Sequence, residues 1–319
     1  MHGLVISNLG SRYEVLLDSP AESRGTVVTA AAKGNLRIKG IRTTNPVAVG
    51  DRVALSLAPG AELAYITAID PRENYIIRRA SNLSKESHIL AANIDRALLV
   101  ATLAHPETST TFIDRFLATA EAYDVPAVLV INKVDLLADG DDRELLDAVC
   151  HLYRTIGYPV VCTSVRTGEG IDELRAMVGD SVTLLSGNSG VGKSSIINAL
   201  VPGAGALTAA VSEATDSGIH TTTFSRMYDL PEGGRLIDVP GVRGFGTLDF
   251  DRHEVSHFFP EIFEAGHDCR FSDCTHTGGE PGCAVLEALD RCTIARSRYA
   301  SYLSILENDA APTSSKYRK

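Results

Sequence analysis

No apolar run in this 319-residue chain approaches the roughly 20 residues that a membrane-crossing helix needs. Met1-His2-Gly3-Leu4-Val5-Ile6-Ser7 lacks the cationic stretch that opens a secretory leader. The expectation is a cytoplasmic chain with no membrane partner. Internal repeats are missing as well. So is an excess of positive charge: the formal net charge is −10, which at first argues against a polyanionic partner, because RNA is held mainly by Lys and Arg. The distribution says more than the sum. Residues 1–85 carry eleven basic and seven acidic side chains, a net +4 that leaves −14 for the rest. A basic front on an acidic body suits a directed RNA contact rather than indiscriminate binding.

With 44% apolar residues the chain can bury two or three small cores, and its length suggests about two domains. The front reads as short β-rich runs separated by Gly, Pro or Asn: residues 13–17, 25–29, 35–38, 51–55 and 64–69. Five such strands with cationic faces suggest an OB-fold barrel, an oligonucleotide platform. The competing reading is a barrel whose charges only keep it soluble. Arg78-Arg79-Ala80-Ser81-Asn82 is expected as the linker, and residues 310–315 as a disordered tail.

From about Asn93, strands (97–101, 127–131, ending at Thr163) alternate with helices (111–123, 144–153), the pattern of a doubly wound α/β sheet. Two motifs sit on that pattern. Gly187-Asn188-Ser189-Gly190-Val191-Gly192-Lys193-Ser194 matches the phosphate loop G-x-x-x-x-G-K-[ST]. Its glycines admit phosphate oxygens to backbone N–H groups, and Lys193 offsets charge at the β- and γ-phosphates. A strand run at 182–185 precedes it and a helical run from Ser195 follows, the context the motif requires. Ser194 is expected on Mg²⁺. Asn132-Lys133-Val134-Asp135 ends a strand, where ligands of α/β sheets bind. Asp135 can accept from guanine N1–H and the exocyclic amine, a donor pair adenine lacks. Either motif alone is also compatible with a plain loop; together they point to GTP.

Their order is the unusual part. In ordinary GTPases the phosphate loop comes first, whereas here the guanine reader precedes it, so the nucleotide fold is expected to be circularly permuted. Cys162-Thr163-Ser164-Val165 resembles the element whose backbone supports the guanine carbonyl. Asp238-Val239-Pro240-Gly241 places Asp238 to hold Mg²⁺ through water and the Gly241 N–H to report the γ-phosphate. Within Gly218-Ile219-His220-Thr221-Thr222-Thr223, Thr222 offers a hydroxyl to the same metal. A glutamine that would orient water is absent: Val242 follows Gly241, so slow intrinsic hydrolysis is expected. His220 is a candidate to orient or deprotonate that water, and the alternative is that it only braces the segment.

Cysteine is sparse, six in all, and half of it is concentrated. Cys269, Cys274, His276 and Cys283 form C-x₄-C-x-H-x₆-C, four soft donors suited to one closed, structural Zn²⁺. Disulfides or ordinary buried thiols are the alternatives. His267 reads as a loop residue and Cys292 as a buried helix residue. Cys150 and Cys162 lie in apolar or strand-like surroundings that require no chemical role. Helical patterns over 284–292 and 294–307 would turn Leu286, Leu289, Tyr299, Leu303 and Leu306 inward, with Tyr299 and Tyr302 as core rather than RNA-stacking residues.

Taken together, the permuted motif order, residues 218–223, the cysteine constellation, Phe112-Ile113-Asp114-Arg115-Phe116-Leu117, Val49-Gly50-Asp51-Arg52-Val53 and Arg298-Tyr299-Ala300-Ser301-Tyr302 resemble the RsgA family of circularly permuted GTPases of small-ribosomal-subunit biogenesis. The resemblance covers nearly the whole chain. It implies a multidomain α/β protein: an N-terminal OB-fold barrel (1–84), a circularly permuted P-loop GTPase domain (85–248) and a C-terminal helical zinc-binding domain (249–319). It also implies a monomer that binds the small subunit and its rRNA, hydrolyses GTP in response, and leaves as a late maturation checkpoint. A GTP-sensing rRNA scaffold with negligible turnover and a permuted GTPase of large-subunit assembly are the rival expectations. Two features depart from the family pattern. The His276-to-Cys283 gap is one residue longer than expected, and the front lacks the basic extension some members carry, which leaves rRNA contact to folded domains.

Overall fold

The computed structural model of the protein describes residues 1–33, 36, 46–81, 84–137, 139–206, 225–239, 252–279 and 281–310. Strand alternation begins at the second residue. β1 (His2–Asn8) turns Gly3, Val5 and Ser7 into one core while Leu4 and Ile6 pack against another, so its sequence reads as an apolar run rather than as an alternation. β2 (Tyr13–Ser19), β3 (Val27–Ala32), β4 (Arg52–Ser56) and β5 (Ala64–Ile69) follow. Their order is β1-β2-β3-β5-β4, and β4 pairs back onto β1, which closes a five-stranded barrel over Val5, Tyr13, Val15, Val53 and Ile66. The expected barrel is therefore present, closed by a strand the sequence did not signal. Its fifth member is β1, which the sequence reading passed over, and the expected run at 35–38 lies outside the described residues except for Leu36.

The expected linker is strand up to Ser81, and Asn82 lies outside the described residues: β6 (Tyr75–Ser81) pairs with β7 (Ser84–Ala92) as an antiparallel hairpin. One close approach fixes the barrel against this hairpin, and a buried ion pair fixes the connection that leads into it. Gly50 has φ +95 and lies so close to Ala92 that a Cβ would come within 2.0 Å of its carbonyl oxygen, which only glycine tolerates. Asp51, fully buried, accepts the Ala48 N–H at 2.8 Å and pairs with Arg72 at 2.6 Å.

Beyond the hairpin come β8 (Arg96–Ala101), α1 (Thr110–Ala122), β9 (Ala127–Asn132), α2 (Gly140–Ile156), β10 (Val160–Thr163), α3 (Ile171–Val178), β11 (Val182–Gly187), α4 (Lys193–Leu200), β12 (Arg226–Asp229) and β13 (Arg235–Asp238). β9 is buried on both faces, as parallel strands flanked by helices must be. Asp139 caps α2 by accepting the Asp142 N–H, which starts the helix at Gly140 rather than at 144, and Gly157 in the left-handed region ends it. The strand order β10-β9-β8-β11-β13-β12 is parallel except for β12, so the phosphate-loop strand β11 is central although it comes fourth of these six in chain order. β12 also pairs with β1 through Ser7 and Arg226, and the barrel and the nucleotide sheet thereby form one eleven-stranded sheet.

The C-terminal part packs α5 (Pro260–Gly266), α6 (Ala284–Asp290) and α7 (Arg296–Ala310) around Val255, Phe259, Ile262, Val285, Leu289, Tyr302 and Leu306. Leu286, Tyr299 and Leu303 join that core partly buried, as their spacing predicts. The core includes Ala118 of α1, so it docks directly on the nucleotide-binding part. A buried ion cluster fixes the dock. Arg298 donates to Asp114 on α1 at 2.9 Å and to both carboxylate oxygens of Glu261 on α5 at 2.6 and 3.1 Å, and Tyr153 of α2 donates to Asp114 at 2.8 Å. Beside it, Arg115 donates to the Ser304 hydroxyl at 2.6 Å.

Candidate functional site

The phosphate loop joins β11 to α4, and glycine at Gly187, Gly190 and Gly192 answers to geometry. All three have positive φ. At Gly187 a Cβ would meet the Val100 carbonyl oxygen at 2.3 Å, and at Gly192 it would meet the Asn132 amide nitrogen at 2.3 Å. The loop thus packs too closely against β8 and Asn132 for a side chain at Gly187 or Gly192, which leaves backbone to line a cradle of the kind a polyphosphate needs. Val191 is buried in the core under α3 and α4 and holds the loop down. Lys193 folds back and donates to the carbonyls of Gly187 at 2.7 Å and Asn188 at 2.8 Å. Burial lowers its pKa, against the pull of Asp238. Asp238, at the end of β13, is buried, and burial pushes its carboxyl up to about 6 despite Lys193. Ser194 and Ser195, half-buried in the first turn of α4, complete the loop; Asn188 is half-buried and Ser189 exposed.

The base-reading segment is stitched to that loop. Asn132 donates from its side-chain amide to the Val191 carbonyl at 2.8 Å and accepts from the Thr163 hydroxyl at 3.0 Å. Both ends of its amide are engaged by protein, which makes it a brace between β9, β10 and the phosphate loop. Lys133 takes the left-handed conformation, φ 62, and its ammonium donates to the His105 carbonyl at 2.6 Å. Val134 is buried and anchors the turn. Asp135 receives the Ser164 hydroxyl at 2.6 Å and the Arg166 guanidinium at 2.9 Å. These partners, Ser164 foremost, hold its carboxyl below the usual range. The Ser164 N–H goes to the Glu169 carbonyl at 2.9 Å, and its hydroxyl goes to Asp135. Arg166, an exposed cation at the reader, was not singled out in the sequence; its position two residues after Ser164 was the available signal. His220, Thr222, Gly241 and Val242 lie outside the described residues.

The cysteine constellation converges. The donor atoms of Cys269, Cys274, His276 and Cys283 all lie within 4.8 Å of one another. His276 Nδ1 is 3.5 Å from the sulfurs of both Cys269 and Cys283, and those sulfurs are 3.9 Å apart. Zinc bonds of about 2.3 Å to sulfur and 2.05 Å to nitrogen in a tetrahedron give edges of about 3.6 Å for S···N and 3.8 Å for S···S. The donors present therefore fit a closed zinc site. Tyr299 and Tyr302 of α7 tie the loop down by donating to the carbonyls of His276 at 2.6 Å and Thr275 at 2.8 Å. His267 is no part of the set and packs edge-on against Phe263. Cys292, expected as a buried helix residue, is exposed and follows α6 with φ 58; the helix stops at Asp290. Cys150 and Cys162, by contrast, meet with their sulfurs 3.5 Å apart.

Among known proteins, a family model described as RsgA GTPase matches residues 69–248. A small ribosomal subunit biogenesis GTPase RsgA of Porphyromonas gingivalis is 58% identical over 98% of both chains, and one of Bacteroides fragilis is 54% identical over 97% of both. Two solved structures share the architecture. YjeQ from Thermotoga maritima is 32% identical, covers 97% of this chain and 98% of its own, and superposes with a TM-score of 0.74. YloQ, described as a circularly permuted GTPase, is 27% identical, with 97% and 94% covered and a TM-score of 0.68.

Proposed function

Because the chain belongs to the RsgA GTPase family, we propose that it is a late checkpoint in small-ribosomal-subunit maturation, with GTP hydrolysis stimulated by the subunit and coupled to release. The observation that carries this reading is the Asn132 amide bridging the base reader and the Val191 carbonyl of the phosphate loop. One hydrogen bond makes the two halves of a nucleotide site a single unit, in an order of segments that only a permuted chain provides.

In this reading Asp135, with Asn132, selects guanine; Ser164 holds the Asp135 carboxylate in place and Asn132 ties the reader to the phosphate loop. The nucleotide phosphates displace Lys193 from the Gly187 and Asn188 carbonyls and take its ammonium. The backbone of Gly190, Val191 and Gly192 and the first turn of α4 supply N–H donors. Ser194 and Thr222, with Asp238 through water, would hold Mg²⁺, which neutralises charge developing on the transferred phosphoryl group. Gly241 reports the γ-phosphate, and His220 orients the attacking water in place of the glutamine absent at Val242. Zinc held by Cys269, Cys274, His276 and Cys283 would be structural, one ion per chain.

Residues 1–84, 85–248 and 249–319 serve as the three working units of a cytoplasmic monomer. Arg12, Arg24, Lys33 and Arg52 on the barrel are exposed and suit rRNA phosphates. Tyr65 on β5, and Phe263 and Phe271 beside the cysteine loop, are exposed aromatics suited to stacking on unpaired bases. No helix among the described residues is long and apolar enough to cross a membrane.

The test is cosedimentation with each ribosomal subunit in GDP and in a non-hydrolysable GTP analogue, together with GTP turnover with and without subunits. Analogue-dependent binding to the small subunit and stimulated turnover are expected. Binding without stimulation would instead favour a GTP-sensing scaffold, and preference for the large subunit would sink the assignment.

A further inference from the structure

Three of the six cysteines are absorbed by the zinc loop, and Cys292 is exposed on its own. The other two, twelve residues apart on α2 and β10, face each other with a sulfur separation of 3.5 Å. A disulfide needs about 2.05 Å, so closing the pair takes a relative shift of about 1.5 Å. We propose that Cys150 and Cys162 are a reversible dithiol–disulfide pair that, once oxidised by a small hydroperoxide, loosens the guanine reader and weakens nucleotide binding.

The surroundings favour this chemistry. The Cys162 thiol, as donor, lowers the Cys150 pKa to about 7, burial opposes this, and the Arg154 guanidinium helps while Asp147 resists. Cys162 moves the other way and remains the protonated partner. Arg154 also ties the end of α2 to β10 by donating to the Val160 carbonyl at 2.9 Å, which keeps the two cysteines in register. Cys150 is buried, so its thiolate is open only to an oxidant small enough to enter beside the half-buried Cys162. The step balances. The Cys150 thiolate attacks the peroxide, the O–O bond breaks and an alcohol or water leaves, giving a sulfenic acid. The Cys162 sulfur then attacks that sulfur, an S–S bond forms and water departs. Two electrons have passed from the thiols to the peroxide, and an external thiol reverses the change by exchange.

The consequence follows from what comes next in the chain. Thr163 and Ser164, directly after Cys162, hold Asn132 at 3.0 Å and Asp135 at 2.6 Å. Drawing Cys162 toward α2 strains both hydrogen bonds, which weaken steeply once distance and angle depart from the optimum. The affinity effect rests on the guanine-nucleotide reading; bond formation does not.

The experiment uses the full-length, zinc-loaded Cys292→Ser protein treated with hydrogen peroxide. Non-reducing peptide mapping reads the bond, metal analysis verifies the zinc loop, and titration with fluorescent GDP reads affinity before oxidation, after it, and after dithiothreitol. A Cys150–Cys162 peptide is expected, with affinity reduced about tenfold, the scale of one lost hydrogen bond, and restored by reduction. Cys162→Ser and, separately, Cys150→Ala should abolish both changes. Absence of the cross-linked peptide under peroxide overturns the proposal, as does a cross-link that leaves GDP affinity unchanged. Failure of the reduced protein to prefer GDP over ADP would instead count against the guanine site.

Discussion

At the level of single residues, the proposed site divides its motif side chains between those that would meet ligand and those that hold them. Asp135 belongs to the first kind. Asp135→Asn is expected to weaken GTP binding by about 1–3 kcal/mol through lost hydrogen bonds and to favour xanthosine triphosphate, whose carbonyl accepts from an amide. Unchanged GTP affinity in a calorimetric titration would remove Asp135 from the site. Asp238 gives a pH prediction. Its carboxyl is raised from 3.8 to about 6, so the folded chain binds that proton more tightly than the unfolded one. Taken alone, the group favours folding at low pH, and the advantage fades as pH rises from 3.8 through 6. Metal-dependent nucleotide binding has the opposite sign, because it needs the charged carboxylate. Mg²⁺-dependent GDP affinity should fall below about pH 6 in the wild type, and Asp238→Asn should flatten that step; parallel profiles for the two proteins would refute the assignment. His220→Ala should leave GTP affinity and subunit binding nearly intact while removing most of the stimulated turnover. If single-turnover measurements at saturating subunit match the wild type, His220 is not catalytic.

Motif spacing made the loop glycines and the convergence of Cys269, Cys274, His276 and Cys283 legible, since a tight backbone cradle and a four-donor cluster demand particular residue types. It did not make Asn132 legible as a brace, nor the meeting of Cys150 with Cys162, because both depend on contacts between segments far apart in the chain.

Among the elements, α1 and α7 carry the main joint between the nucleotide part and the zinc-loop part. Arg298 and Asp114 are nearly inaccessible, with side-chain exposures of 1% and 0%. Burial pushes the Asp114 carboxyl up even against Arg298, which marks a pair whose separation would be costly. Arg298→Ala should destabilise the protein by about 3–5 kcal/mol, the usual cost of stranding a buried partner charge. Urea unfolding measures this, and a loss below about 1 kcal/mol would show that water or Tyr153 satisfies Asp114 unaided. The helices were readable where a cap or an apolar stripe was present. α3, with Ile171, Leu174 and Val178 buried on one face, was readable by the same rule but short enough to pass as a loop. β1 was missed because its two faces enter two different cores, which erases the alternation that normally reveals a strand.

Across the whole molecule, zinc and the hydrogen-bond ladder act on different parts. Metal analysis should find about one Zn²⁺ per chain. Cys274→Ser should lower that content and the thermal stability of the C-terminal helices and weaken subunit binding, while GDP affinity stays within about twofold, since no zinc donor touches the phosphate loop. Zinc-free protein of full stability would exclude a structural metal. The three-part organisation was legible in composition and motif order. The joining of barrel and nucleotide sheet was not, because it rests on one pairing between Ser7 and Arg226. That pairing bears on truncation. Removing the first strand would leave the outer edge of β12 open at Arg226 as well, with β13 its one remaining partner in the sheet among the described residues. Such margins recruit other chains. A version lacking the barrel should therefore self-associate with rising concentration even where its nucleotide site remains intact, which light scattering against concentration would check.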